Sequence, residues 1–87
     1  MEYSSQFKKD FKKIAKLSIP DIVEVGHVIK VLDQGGALPK KYSDHLLSGN
    51  WSGYRDCHIK PDLVLIYKID NGILKLARVG SHSELFG

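Results

Sequence analysis

The chain is poor in cysteine, with one among 87 residues. No internal disulfide can form, which fits a reducing compartment. No cysteine pair and no His-Glu-x-x-His spacing is present, so no metal site and no cofactor is expected. Apolar runs are short. None approaches the ~20 residues that span a bilayer, so no membrane association is expected. Glu2, Lys8, Lys9 and Asp10 occupy the region where a signal peptide would be apolar, and the expected location is cytoplasmic. Low hydrophobicity is not among the deficits: 43% of residues are hydrophobic, which argues against wholesale disorder. A chain of this length is expected to form one domain over residues 1–87. It can bury only roughly 60–65% of its unfolded surface.

What is present is basic charge in clusters, and histidine. The net charge is a modest +3. Lys8, Lys9, Lys12, Lys13 and Lys16 crowd one segment, and Lys40 and Lys41 form a second group. Such clusters attract polyphosphates, although a solvated helix face is the plainer reading of the first. Three histidines, His45, His58 and His82, fall in the second half, each near a polar partner. Histidine takes and gives protons near neutral pH.

The chain reads as a short strand at residues 2–4, two helices, and a meander of about four strands. Ser4 or Ser5 can cap the first helix, whose apolar stripe is Phe7, Phe11, Ile14 and Ala15. Ser18 can cap the second, with Pro20 in its first turn, a stripe of Ile22, Val25, Ile29 and Leu32, and Gly35-Gly36 to end it. Gly26 weakens its middle, and His27 lies off the stripe as a surface residue. Strands are expected at 45–47, 54–59, 63–69 and 73–79. Asn71-Gly72 makes the last hairpin turn. The order is α+β, with helices on one sheet face and the other partly open.

Side chains alternate along a strand. Tyr54, Asp56 and His58 therefore share the more open face, and Arg55, Cys57 and Ile59 the other. His45, Asp62 and His82 can reach the same end of the sheet. Cys57 reads as a small buried hydrophobe and not a nucleophile. Trp51 can stack on a base or seal the sheet edge.

The blocks Asp44-His45, Gly53-Tyr54-Arg55-Asp56-x-His58-x-x-Pro61-Asp62 and Gly80-x-His82-x-x-Leu85-Phe86-Gly87 together resemble the YafQ-type toxins of the RelE/ParE superfamily of bacterial type II toxin–antitoxin systems. The resemblance runs from Tyr3 onward, mainly by pattern in the helical half. It implies a RelE-like microbial RNase fold, with two helices packed on a curved antiparallel sheet of four to five strands. It also implies an endoribonuclease that cuts mRNA in the A site of the 70S ribosome, a neutralising DinJ/RelB-like antitoxin, and operator DNA binding only through the antitoxin complex. The family's functional residues fall on His45, His58, Asp62, His82 and Phe86, with Asp56 in support. Arg55 is assigned to phosphate contact or structure. Lys8, Lys9, Lys12, Lys13, Lys40, Lys41 and Trp51 are candidate RNA contacts. The rivals are a ribosome-independent ribonuclease, a non-enzymatic ParE-like gyrase-binding toxin, which lacks this histidine set, and a pure protein-interaction module.

Overall fold

The structure is a computed structural model describing residues 1–16 and 18–87. In chain order it contains β1 (Glu2–Tyr3), α1 (Ser5–Ile14), α2 (Ile19–Asp33), β2 (His45–Leu46), β3 (Arg55–Lys60), β4 (Leu63–Asp70), β5 (Ile73–Gly80) and α3 (His82–Phe86). Single 3-10 turns stand at Lys40–Tyr42 and Gly49–Trp51. The five strands form one sheet in the order β1-β5-β4-β3-β2. β2 to β5 are antiparallel, as the meander predicts, whereas β1 joins β5 in parallel and makes the sheet mixed. No helix among the described residues is long and apolar enough to cross a membrane.

Local chemistry accounts for these elements. The Ser4 hydroxyl accepts from Phe7 N–H at 2.9 Å and caps α1, a bond worth roughly 1 kcal/mol. Ser18 caps α2 in the same way, and Gly35, at φ +76°, takes the left-handed backbone just past its end. Asn71 and Gly72 both have positive φ, as a tight hairpin between right-twisted strands requires.

The main core lies between the helices and one face of the sheet. Phe7 and Ile14 of α1, with Val25, Val28 and Leu32 of α2, meet Cys57, Leu65, Tyr67, Leu76 and Val79. Two expected stripe positions differ. Ala15 is exposed, while Asp10 is buried in its turn of α1. On α2, Val28 takes full burial, leaving Ile22 and Ile29 at the margin. Asp10 is buried because β1 is too short to cover the edge of β5. Where β1 stops, Ser4 N–H donates to Leu76 O at 3.0 Å and the Ser4 hydroxyl to Ala77 O at 2.6 Å. The carboxylate of Asp10 then receives Val79 N–H at 3.2 Å. Side chains of α1 thus continue the ladder and close an edge that would otherwise pair with another chain.

The opposite face carries a smaller apolar cluster. Val64, Ile66 and Leu85 are buried there, with Leu47, Trp51, Tyr54 and Ala77 packed against them. This face is partly floored, and the histidines stand at one end of it.

Candidate active site

β2 is two residues long and pairs His45 with Asp56 on β3. Across the sheet, His58 is opposite Val64, and Val64 is opposite Gly80. The chain therefore leaves β5 level with His58 and presents His82 two residues later. Alternation along β3 puts Ile59, like Cys57, in the helix-side core and leaves His58 facing the site, and the register shifts between His58 and Lys60 at the end of the strand.

α3 supplies the rest. Ser81-His82-Ser83-Glu84 is a reciprocal capping box: Glu84 N–H donates to the Ser81 hydroxyl at 3.2 Å, and Ser81 N–H to the Glu84 carboxylate at 2.9 Å. No helix is expected here from the apolar pattern. The Ser-x-x-Glu pattern was the signal for a helix. One helical turn then sets His82 and Phe86 side by side, with ring centroids 6.3 Å apart.

The result is a continuous row of rings. His45 and His58 are 6.0 Å apart by centroid, and His58 and His82 5.0 Å. Two carboxylates flank the row. Asp62, in the turn after β3, accepts both the backbone N–H of His82, at 3.0 Å, and its Nδ1–H, at 2.9 Å. The backbone bond first, and the ring bond with it, hold the Asp62 carboxyl below its usual range. Because a carboxylate only accepts, Nδ1 carries the hydrogen and Nε2 is free to face a substrate.

Asp56 is the other carboxylate. It was expected on the open surface in support. Instead its side chain is only 4% exposed, inside the row, whereas His45 is 55% exposed. Its Oδ1 is 3.0 Å from His45 Nε2 and its Oδ2 is 3.9 Å from His58 Nε2. Neither contact has the geometry of a directed hydrogen bond. Oδ1 is thus a buried oxygen with no hydrogen-bond partner. Burial raises the Asp56 carboxyl, and attraction to His45, His58 and His82 opposes the rise without cancelling it. A carboxylate of raised basicity with an unused oxygen suits proton abstraction.

The remaining candidates divide. Arg55 is not in the row. Its Nε donates to Asp44 at 3.0 Å, a bond that, with the charge of Asp44, raises the guanidinium pKa. Trp51 meets Tyr54 edge-on at 5.2 Å and packs on the smaller core. Lys41 lies over the ring of Tyr42, 5.0 Å away, and Lys40 is exposed in the same turn. Lys13 reaches Glu84 of α3 at 4.0 Å. Lys8 and Lys12 border an apolar groove of about 590 Å³ lined by Phe7, Phe11 and Ile29. This groove holds no histidine, and the acid–base row sits instead on an open face. Lys9 is exposed. Cys57 is fully buried in the main core, its thiol pushed up to about 12, chiefly by burial.

Arg78 passed unnoticed in the sequence, where an arginine within an apolar strand was the available signal. Its Nε and Nη2 both contact Asp10 at 2.9 Å, and its Nη1 donates to Glu84 O at 3.4 Å. It ties α1 to the short helix that carries His82.

Three histidines and two carboxylates are thus gathered at one end of the open sheet face, a set of groups able to exchange protons. The family is plain from comparison with known proteins. The sequence model described as "Bacterial toxin of type II toxin-antitoxin system, YafQ" matches residues 1–87, and the chain belongs to that family. It is 41% identical over 88 residues to the mRNA interferase toxin YafQ of Escherichia coli K12, covering all of this chain and 95% of the relative. YafQ in the E. coli DinJ–YafQ complex superposes with a TM-score of 0.88 at 41% identity, covering 99% of this chain and 96% of that one. A metal-bound toxin from Helicobacter pylori superposes at 0.87 with 42% identity, covering 98% and 96%.

His45, Asp56 and His58 offer ligand atoms that all lie within 4.8 Å of one another. Two imidazoles and a carboxylate suit zinc or copper, and the unpartnered Asp56 oxygen fits a cation. No metal was expected, because the three residues are brought together by strand pairing and follow no ligand spacing.

Proposed function

We propose that this chain is an endoribonuclease that cleaves mRNA in the ribosomal A site and is neutralised in the cytoplasm by a DinJ-like antitoxin. The observation that carries the proposal is the row His45–His58–His82, with Asp56 buried inside it and Asp62 bound to its end. In RNA cleavage the 2′-oxygen attacks phosphorus and loses its proton, while the P–O5′ bond breaks and the 5′-oxygen gains one. The products are a 2′,3′-cyclic phosphate and a 5′-hydroxyl. The Asp56–His45 pair is the base, since it joins an unpartnered oxygen of raised basicity to an imidazole. His82 is the acid, oriented by Asp62. Both Arg55 and Arg78 are engaged by carboxylates, so stabilising the charged phosphorane falls to a lysine or to His58 within the row. Phe86, 44% exposed, offers a ring on which a base can stack. The lysines of α1 and of the turn before β2 would hold the RNA or ribosome backbone, and operator DNA is reached only through the antitoxin complex.

The test is to incubate purified protein with mRNA on programmed ribosomes, in EDTA, and map the cut ends. Cuts in phase with codons that leave 5′-hydroxyls support the proposal. Equal cutting of naked RNA supports the ribosome-independent alternative. Full activity in both His82→Ala and His58→Ala removes the assignment. Metal binding is a second reading, favoured by the His45–Asp56–His58 geometry. A metal there would occupy the atoms that the base needs.

A further inference from the structure

We infer that Asp44, Arg55 and Tyr67 form a positioning clamp for His45, built on the helix-covered face of the sheet behind the row of histidines. The inference rests on the proposed role of His45 in RNA cleavage.

β2 is a two-residue edge strand with both residues exposed. So short a ladder holds its side chains weakly. The residue before it is held strongly. Asp44 accepts Arg55 Nε–H on one oxygen at 3.0 Å and the Tyr67 hydroxyl on the other at 2.7 Å. Arg55 and Tyr67 are direct partners across β3 and β4, so two central strands each send one donor to one carboxylate. Tyr67 is 2% exposed within the main core. Burial, and then the Asp44 bond, push its hydroxyl pKa up, which keeps it a donor.

The clamp reaches the imidazole through the backbone. Ser43, just before Asp44, has left-handed backbone angles, φ 50° and ψ 46°. This fold turns its carbonyl onto His45 Nδ1 at 2.7 Å. A carbonyl oxygen only accepts, so Nδ1 carries the hydrogen and Nε2 is the atom beside Asp56. Anchoring Asp44 therefore fixes both the place and the tautomer of the His45 ring. Arg55 accordingly acts through His45 and does not bind phosphate.

Tyr67→Phe removes one hydroxyl and keeps the core packed. It should lower kcat about 10- to 100-fold with KM little changed, the scale of a small misplacement of a reacting group. Nitrogen NMR should show one His45 tautomer in the parent protein and a mixture in Tyr67→Phe and Asp44→Asn. Added to His45→Ala, Tyr67→Phe should cost nothing further. The clamp is overturned if Tyr67→Phe keeps both kcat and the tautomer, or costs as much without His45. It is also overturned if Arg55→Ala raises KM alone, as a phosphate contact would. An active His45→Ala would instead remove the catalytic reading while leaving the tautomer result to judge the clamp.

Discussion

One oxygen of Asp62 receives two hydrogens from His82, twenty residues later: the backbone N–H at 3.0 Å and Nδ1–H at 2.9 Å. The first bond seats the start of α3 and the second orients the ring. Both are lost together in Asp62→Ala.

His82→Ala should lower cleavage about 10²- to 10⁴-fold, the usual contribution of a general acid. Asp62→Ala should lower it less, because the imidazole stays but turns freely. Single-turnover cleavage of a short mRNA checks both, with circular dichroism to establish that α1, α2 and the sheet persist. A larger loss in Asp62→Ala than in His82→Ala would contradict these roles.

Copper or zinc should bind at about one equivalent and inhibit cleavage, with EDTA restoring it. His45→Ala or His58→Ala should weaken binding at least tenfold in calorimetry, since each removes one of the three candidate ligands found among the described residues. Unchanged affinity in both variants would place the metal elsewhere.

Asp10 and Arg78 should govern acid stability. Burial raises the Asp10 carboxyl, but bonds from Arg78, Gln6 and the Val79 N–H outweigh it and leave the carboxyl below its ordinary value. A group depressed on folding stabilises fully above its unfolded pKa, near 3.9 for aspartate. That contribution is lost as pH falls through the lower folded value. Thermal melts should therefore show Tm falling below about pH 4. Asp10→Asn should flatten that limb. It should also cost about 2–4 kcal/mol at pH 7, because Arg78 is left half-buried without its ion-pair partner.

Gly26→Ala should stabilise the protein by about 0.5–1 kcal/mol. Gly26 lies inside α2, and a Cβ there would meet no atom within 4 Å. A denaturant midpoint that fails to rise would contradict this expectation.

Much of this is legible in the sequence. The Ser4-Ser5 pair and Ser18 mark the starts of both long helices, Asn71-Gly72 marks the hairpin, and period-two alternation sets Asp56 and His58 on one face. These follow from short-range sterics and hydrogen bonding, which act within a few residues. The α3 capping box obeys the same rules and was readable in Ser81 and Glu84. Tertiary structure alone decided the rest. Asp10 is buried because β1 ends early and leaves β5 an open edge. Asp56 is buried because it lies between β2 and β4, with the rings of His45 and His58 beside its carboxylate. The loss of its hydration is what raises its basicity. Alternation already put Arg55 on the far face, and strand pairing chose its partners there, Tyr67 and Asp44. Residue identity thus determined which groups could exchange protons. Desolvation and long-range pairing determined which of them share a site, because both depend on parts of the chain far apart in sequence.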